Sequence, residues 1–146
     1  MEAFATVGAG FLLAVLWFDL MFDVQARGIT TEHDLASISA YYRRVTTDAR
    51  PMNRLVALAM LSTLSALVVE LATDRVAPWV GWTSLGLALL PMLVAALRTV
   101  PRAVRLGAAT DSFAEQARMA RDILREHVLC LASIGALIAV QLTSAA

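Results

Sequence analysis

Four long apolar runs, at 3–22, 55–73, 79–97 and 128–143, constrain this chain more than any motif within it. A helix rising about 1.5 Å per residue needs about 20 apolar residues to cross a hydrocarbon core, and each run meets or approaches that length. No water reaches backbone amides at that depth, so each run must satisfy its own hydrogen bonds as a helix. The expected fold is therefore an all-α membrane protein, a four-transmembrane-helix bundle forming one integral membrane domain over residues 1–146. Two connections, 23–54 and 98–127, are long and polar, whereas the link at 74–78 is short enough to force the second and third spans into an antiparallel hairpin.

The chain is 59% hydrophobic and 16% charged, whereas soluble domains carry about a quarter charged residues. Every basic residue is arginine, which fits a GC-rich bacterial genome. No basic face interleaved with aromatics is present, which excludes a nucleic-acid partner. Cys130 stands alone, so the chain builds neither a disulfide framework nor a thiolate metal cluster, and the thiol is read as a small apolar core residue. The first run lacks the basic flank and small-residue cleavage pattern of a secretory signal and is read as a retained helix.

Arginine placement sets the expected topology. Arg27, Arg43, Arg44, Arg50 and Arg54 lie in the first connection, Arg98, Arg102, Arg105, Arg118, Arg121 and Arg125 in the third, and Arg75 alone in the short link. By the positive-inside rule both long connections are cytoplasmic and both termini extracytoplasmic, in a bacterial inner membrane. Trp79 and Trp82 would form an outer interfacial belt, Pro78 suits the start of the third span, and Pro91 should kink it.

Helical spacing of Leu35, Ile38, Tyr41, Tyr42 and Val45 predicts an amphipathic helix in the first connection, ended by Pro51, which with Asn53 and Arg54 opens the second span. Tyr41-Tyr42-Arg43-Arg44 reads as an interfacial anchor with a basic edge toward anionic headgroups. In the third connection, Ser112 and Glu115 form a capping box that starts the fourth helix near Phe113, two to three turns before lipid. Small residues spaced by four, Ala5/Ala9, Ser62/Ala66, Ser84/Ala88, Ala132/Ala136 and Gly135/Ala139, allow close helix packing within one chain or between subunits.

The chemistry-bearing candidates are Asp19 and Asp23, one turn apart at the end of the first span, and Glu126 and His127 where the fourth enters lipid. An acid at that depth is costly and should face protein, so Asp19 is expected against the fourth helix. Asp122, Glu126 and Cys130 form an i, i+4, i+8 stripe, and His127 lies about 100° from Glu126, close enough to share a crevice. Three readings stand. The carboxylates pair with arginines such as Arg54, Arg98 or Arg125 and fix helix register. Alternatively, His127 with Asp19, Asp23 and Glu126 forms an acid–base pocket. In the third reading Asp19, Asp23, Glu126 and His127 hold a metal, although the Glu-x-x-His pairs of di-iron bundles are absent. No cofactor is identified, and bis-histidine haem ligation is disfavoured because His33 lies in a polar stretch and is read as solvated. Glu70 is expected to snorkel to the outer interface near Asp74 and Arg75, with an outer gate as its functional alternative.

The run Thr99-Val-Pro101, then Leu106, a helix with an acidic start and Arg125-Glu-His127 before the last span, resembles the anthrone-oxygenase-like four-helix membrane family. That family shows an Asn-x-Pro-x-Asn turn after its third span and an Asn-His pair opening its fourth. Pro101 and His127 match, while Thr99, Ala103 and Glu126 stand in place of the asparagines. The resemblance implies a cofactor-poor oxygenase or a membrane protein of unsettled role. From the residues themselves, an accessory or scaffolding subunit comes first, embedded in the lipid bilayer and forming a homo-oligomer or joining a larger membrane complex. The alternative is a membrane-embedded oxidoreductase or oxygenase-like enzyme that uses His127 with Asp19 and Asp23 on an apolar substrate. Transport ranks third, because no pair of broken helices appears.

Overall fold

A computed structural model describes residues 2–48 and 50–144, with side-chain surroundings described for all of these except residues 2, 3 and 50–53. All of its regular structure over these residues is helical: α1 (Glu2–Asp23), α2 (Glu32–Arg43), α3 (Arg50–Ala72), α4 (Pro78–Val94), α5 (Val100–Ala108) and α6 (Phe113–Ser144). Four helical stretches are long and apolar enough to cross a membrane: Phe4–Gly28, Arg54–Ala72, Pro78–Ala108 and Phe113–Ser144. The third is longer than expected, because α4 runs on through a π-helical turn, Ala95–Thr99, into α5. Pro91 sits inside α4, and Pro101 follows the π-helical turn, at the start of α5.

The four long helices pack in the ring order α1, α3, α4, α6. Ala5, Ala9 and Leu12 of α1 meet Ala66 and Leu67 of α3, Ala88 and Met92 of α4, and Ile134 and Leu137 of α6 in the bundle core. Small residues make the close approaches. A Cβ on Gly8 would lie 2.2 Å from Thr63 Oγ1, so the α1–α3 crossing requires glycine there. Of the small-residue pairs, Ala5/Ala9 and Ser84/Ala88 are buried within the chain, whereas Ala132, Ala136 and Ala139 face outward.

At one end the α3–α4 hairpin is closed by a Schellman turn, in which Arg75 N donates to Glu70 O at 3.2 Å and Asp74 adopts φ 49°. Glu70 does not snorkel outward as expected. It is buried at 1% exposure, and Gln141 Nε2 reaches its Oε2 at 3.5 Å and donates to Ser84 Oγ at 3.0 Å. A carboxyl this near a helix end turns inward because α4 and α6 supply polar partners there.

At the other end the two long connections fold into a cap. A 3₁₀ turn, Val24–Gly28, leads to Thr31, whose hydroxyl accepts from Asp34 N at 3.3 Å while Asp34 Oδ2 accepts from Thr31 N at 2.8 Å and Thr30 N at 2.9 Å. This capping box starts α2, and the backbone N–H bonds, Thr30's foremost, hold the exposed Asp34 carboxyl down to about 2. Leu35, Ile38 and Tyr42 of α2 pack with Ala103 and Leu106 of α5 and Ile123 and Leu124 of α6 in a second core. Gly107 lies so close that a Cβ there would sit 2.6 Å from Arg43 N, placing the α5 backbone directly on α2. A π-helical turn, Arg44–Asp48, follows α2, and Pro51, expected to end the amphipathic helix, falls in the first turn of α3, with its side chain and that of Asn53 outside the described set. Ser112 and Glu115 do start α6: Ser112 Oγ accepts from Glu115 N at 3.4 Å.

Candidate functional site

Asp23, the last residue of α1, is the centre of the cap's polar cluster. Its side chain is 1% exposed, and both its oxygens are engaged: the Tyr42 hydroxyl donates to Oδ1, and His127 Nδ1 lies 2.5 Å from Oδ2. Three helices, α1, α2 and α6, thus meet on one carboxylate. One turn earlier, the Tyr41 hydroxyl donates to Asp19 Oδ1, while the Tyr41 ring stacks on Phe22 with centroids 4.0 Å apart and planes 9° from parallel. The Tyr41 and Tyr42 rings meet edge to face at 5.3 Å. Two adjacent tyrosines of α2 therefore engage two carboxylates spaced i, i+4 on α1. This is possible because α2 lies across the end of α1, where neighbouring α2 residues reach successive turns.

Both tyrosines lie outside the long apolar helices, and burial raises their hydroxyls well above the usual tyrosine range, helped by Asp23 beside Tyr42 and Asp19 beside Tyr41. They are neutral donors at any physiological pH. With Asp23 Oδ2 fixing Nδ1 of His127, Nε2 is the ring's remaining polar atom.

Glu126, the residue before His127, belongs to a different cluster. Thr99 Oγ1 donates to Glu126 Oε2 at 2.9 Å, and Arg102 donates to Oε1 while approaching Asp122 at 3.8 Å. The π-helical turn ending at Thr99 and the first turn of α5 bring Thr99 and Arg102 to this face of α6. Cys130 continues the same stripe, its thiol 3.8 Å from Pro91 O and buried as expected of a core residue.

Several sequence expectations are corrected here. Asp23 is the acid hydrogen-bonded to the fourth helix; Asp19 is half-buried, bonded to Tyr41, and feels the His127 ring of that helix only through its charge. Among the described residues no arginine pairs with either aspartate: Arg54 and Arg98 are exposed, and Arg125 lies 4.0 Å from Asp122. Glu126 and His127 take their hydrogen-bond partners on different sides, because the 100° between them sends one toward α4 and α5 and the other toward α1. The proposed quartet of Asp19, Asp23, Glu126 and His127 is accordingly not assembled for a metal, and among the described residues no three His, Cys, Asp or Glu side chains converge on one. Tyr41 and Tyr42, read from sequence as interfacial anchors, also donate hydrogen bonds to the acids of α1. Sequence pattern could have flagged them, since Tyr42 lies four residues after Ile38 on the buried face of α2. His33 is exposed.

Two surface grooves stand out among the described residues. One, of about 570 Å³, runs between α1 and α6 and is lined by Gly10, Leu13, Trp17, Phe18, Leu131 and Gly135; the other, of about 420 Å³, lies between α2 and α5. Neither is lined by Asp19, Asp23, Glu126 or His127. The chain significantly matches no known protein family, no curated protein and no solved structure.

Proposed function

We propose that this chain is a small integral membrane protein acting as an accessory or scaffolding subunit, and that its cap cluster is a structural latch. The observation that carries this reading is the closure of Asp23. Its carboxylate is buried, and both oxygens are occupied by side chains of the same protein. A carboxylate poised for substrate would keep a position open, whereas one that fixes helix register is expected to be fully engaged. The outward row of Ala132, Ala136 and Ala139 on α6 supports close contact with a second helix, from another copy or from a larger complex. The arginine-rich end is taken as cytoplasmic in a bacterial plasma membrane, with both termini outside.

A second reading has one observation in its favour. Asp23 orients His127 as a carboxylate orients a general base, and the resemblance to the oxygenase-like family involves the same histidine. In that reading His127, with Asp19 and Asp23, acts on an apolar substrate arriving from the bilayer.

The test compares Asp23→Asn and His127→Ala variants in the native membrane. The latch reading expects both to lower thermal stability in detergent while the complex isolated under mild conditions keeps its partners and its cellular phenotype. Isolation of wild-type protein as a partner-free monomer would remove the accessory reading. Loss of phenotype with unchanged stability would favour the catalytic one.

A further inference from the structure

The groove between α2 and α5 is lined by Ala36, Ala40, Arg43, Arg44, Asp48 and Gly107, among others. We infer that it is a headgroup site for an anionic phospholipid, with the Arg43 and Arg44 guanidinium groups holding the phosphodiester. This rests on the membrane reading above but not on the accessory one.

Three observations carry it. First, Arg43 and Arg44 are exposed and form no ion pair among the described residues, although Arg102, Arg105 and Arg125 each have an acidic neighbour within 4.0 Å. A guanidinium presents a rigid fork of donors that matches phosphate oxygens, and both arginines line this one groove. Second, the charges are complementary. Two arginines against Asp48 leave the groove with one net positive charge, which suits the single negative charge of a phosphodiester better than a dianionic monoester. Third, the floor is built and not incidental. Gly107 permits the α5 backbone to lie on that of α2, and at about 420 Å³ the space falls within the range of small-molecule sites.

The latch bears directly on this groove. Tyr42, pinned on Asp23, fixes the roll of α2 about its axis, and Arg43, about 100° further round, is thereby turned away from the core and into the groove. On the membrane reading the cap, at the ends of the candidate spans Phe4–Gly28 and Pro78–Ala108, stands at the depth of lipid headgroups.

The full chain in mild detergent is titrated with dioctanoyl phosphatidylglycerol, dioctanoyl phosphatidylcholine and sodium phosphate, with bound lipid read by native mass spectrometry. The expected result is about tenfold tighter binding of the glycerol lipid than of the choline lipid, as two arginines at an anionic headgroup would give. The double variant Arg43→Ala/Arg44→Ala should abolish that preference. Arg43→Lys/Arg44→Lys should retain only part of it, because charge remains while the fork is lost. Arg118→Ala/Arg121→Ala, on exposed arginines outside the groove, should leave it intact. Preference that survives the alanine pair, or that is lost equally in the control pair, overturns the site. Full displacement of the lipid by millimolar phosphate overturns the lipid and leaves a simple anion site. Release of the protein from membranes by alkaline carbonate would strike the membrane reading itself, a failure distinct from loss of lipid preference.

Discussion

The two ends of the bundle solve the same problem with different chemistry. At the hairpin end one acid, Glu70, is buried with an amide and a hydroxyl, Gln141 and Ser84, on helices α3, α4 and α6. At the cap end Asp23 is buried with a phenol and an imidazole, and the phenol comes from a connection, not from a long apolar helix. The hairpin end is closed by a tight turn whose geometry is local, so its polar trio only adjusts packing. The cap is held mainly by tertiary contacts: α2 reaches its neighbours through a separate apolar core, the close approach at Gly107, the Ser39–Gln116 bond and the Tyr–Asp bonds. Polar groups in apolar surroundings therefore matter most where the chain's connectivity does least.

That contrast predicts unequal mutational costs. Asp23→Ala strands a buried tyrosine hydroxyl and a buried imidazole together, and should cost about 3 kcal/mol, toward the range seen when a buried charged pair is broken. Gln141→Leu removes one interhelical donor in apolar surroundings, where such bonds average about 0.6 kcal/mol with a maximum near 1.7. Unfolding titrations of both variants in the same detergent measure the difference. Equal costs would mean that the cap does not depend on its latch.

Much of the bundle was legible in the sequence, because apolar length is a strong signal and lipid leaves the backbone few alternatives. The α2 helix was legible for a related reason, since Leu35, Ile38 and Tyr42 repeat at the helical period over a polar background. The partners of the acids were not legible. Asp19 and Asp23 attract expectations of arginine because arginine is abundant nearby, yet which side chain reaches them depends on how α2 lies across α1, and that is set by the α5 contact through Gly107. The separation of Glu126 from His127 was hidden similarly. Periodicity puts both on the inner half of α6, but the π-helical turn at Ala95–Thr99 brings Thr99 and Arg102 to one side only. Glu70 was misread because proximity to a helix end says nothing about partners on neighbouring helices.

Alkaline pH should separate the ends again. Burial raises the Tyr42 hydroxyl in the folded protein, so the folded state holds that proton more tightly than the unfolded chain. The stabilisation is fully present below the unfolded value of about 10 and declines as pH rises above it, by about 1.4 kcal/mol per pH unit. Tyr41, half-exposed and screened, adds less to the same trend. Melting temperatures between pH 9 and 11 should fall in wild type and fall less steeply in Tyr42→Phe, which starts lower because Asp23 has lost a donor. A Gln141→Leu background should keep the wild-type slope, since no tyrosine takes part at the hairpin end.

The smallest expected effect lies in the backbone. Among the described residues, each end carries one non-glycine residue in the left-handed region, Asp74 at φ 49° after α3 and Ala109 at φ 52° after α5. Ala109 caps α5, its N–H donating to Leu106 O at 3.2 Å, and has no side-chain polar group to ease the conformation. An L-residue there costs roughly 1–2 kcal/mol, of which glycine recovers a part after its greater unfolded-state freedom is counted, so Ala109→Gly should stabilise by about 0.5 kcal/mol. Asp74→Gly should gain less, because aspartate tolerates this region better than alanine does. If the two substitutions gained equally, or Asp74→Gly gained more, residue type would not be what sets strain at these caps. The cap and hairpin ends would then differ only in their side-chain networks, which makes the pair of glycine variants a clean control on the larger comparison.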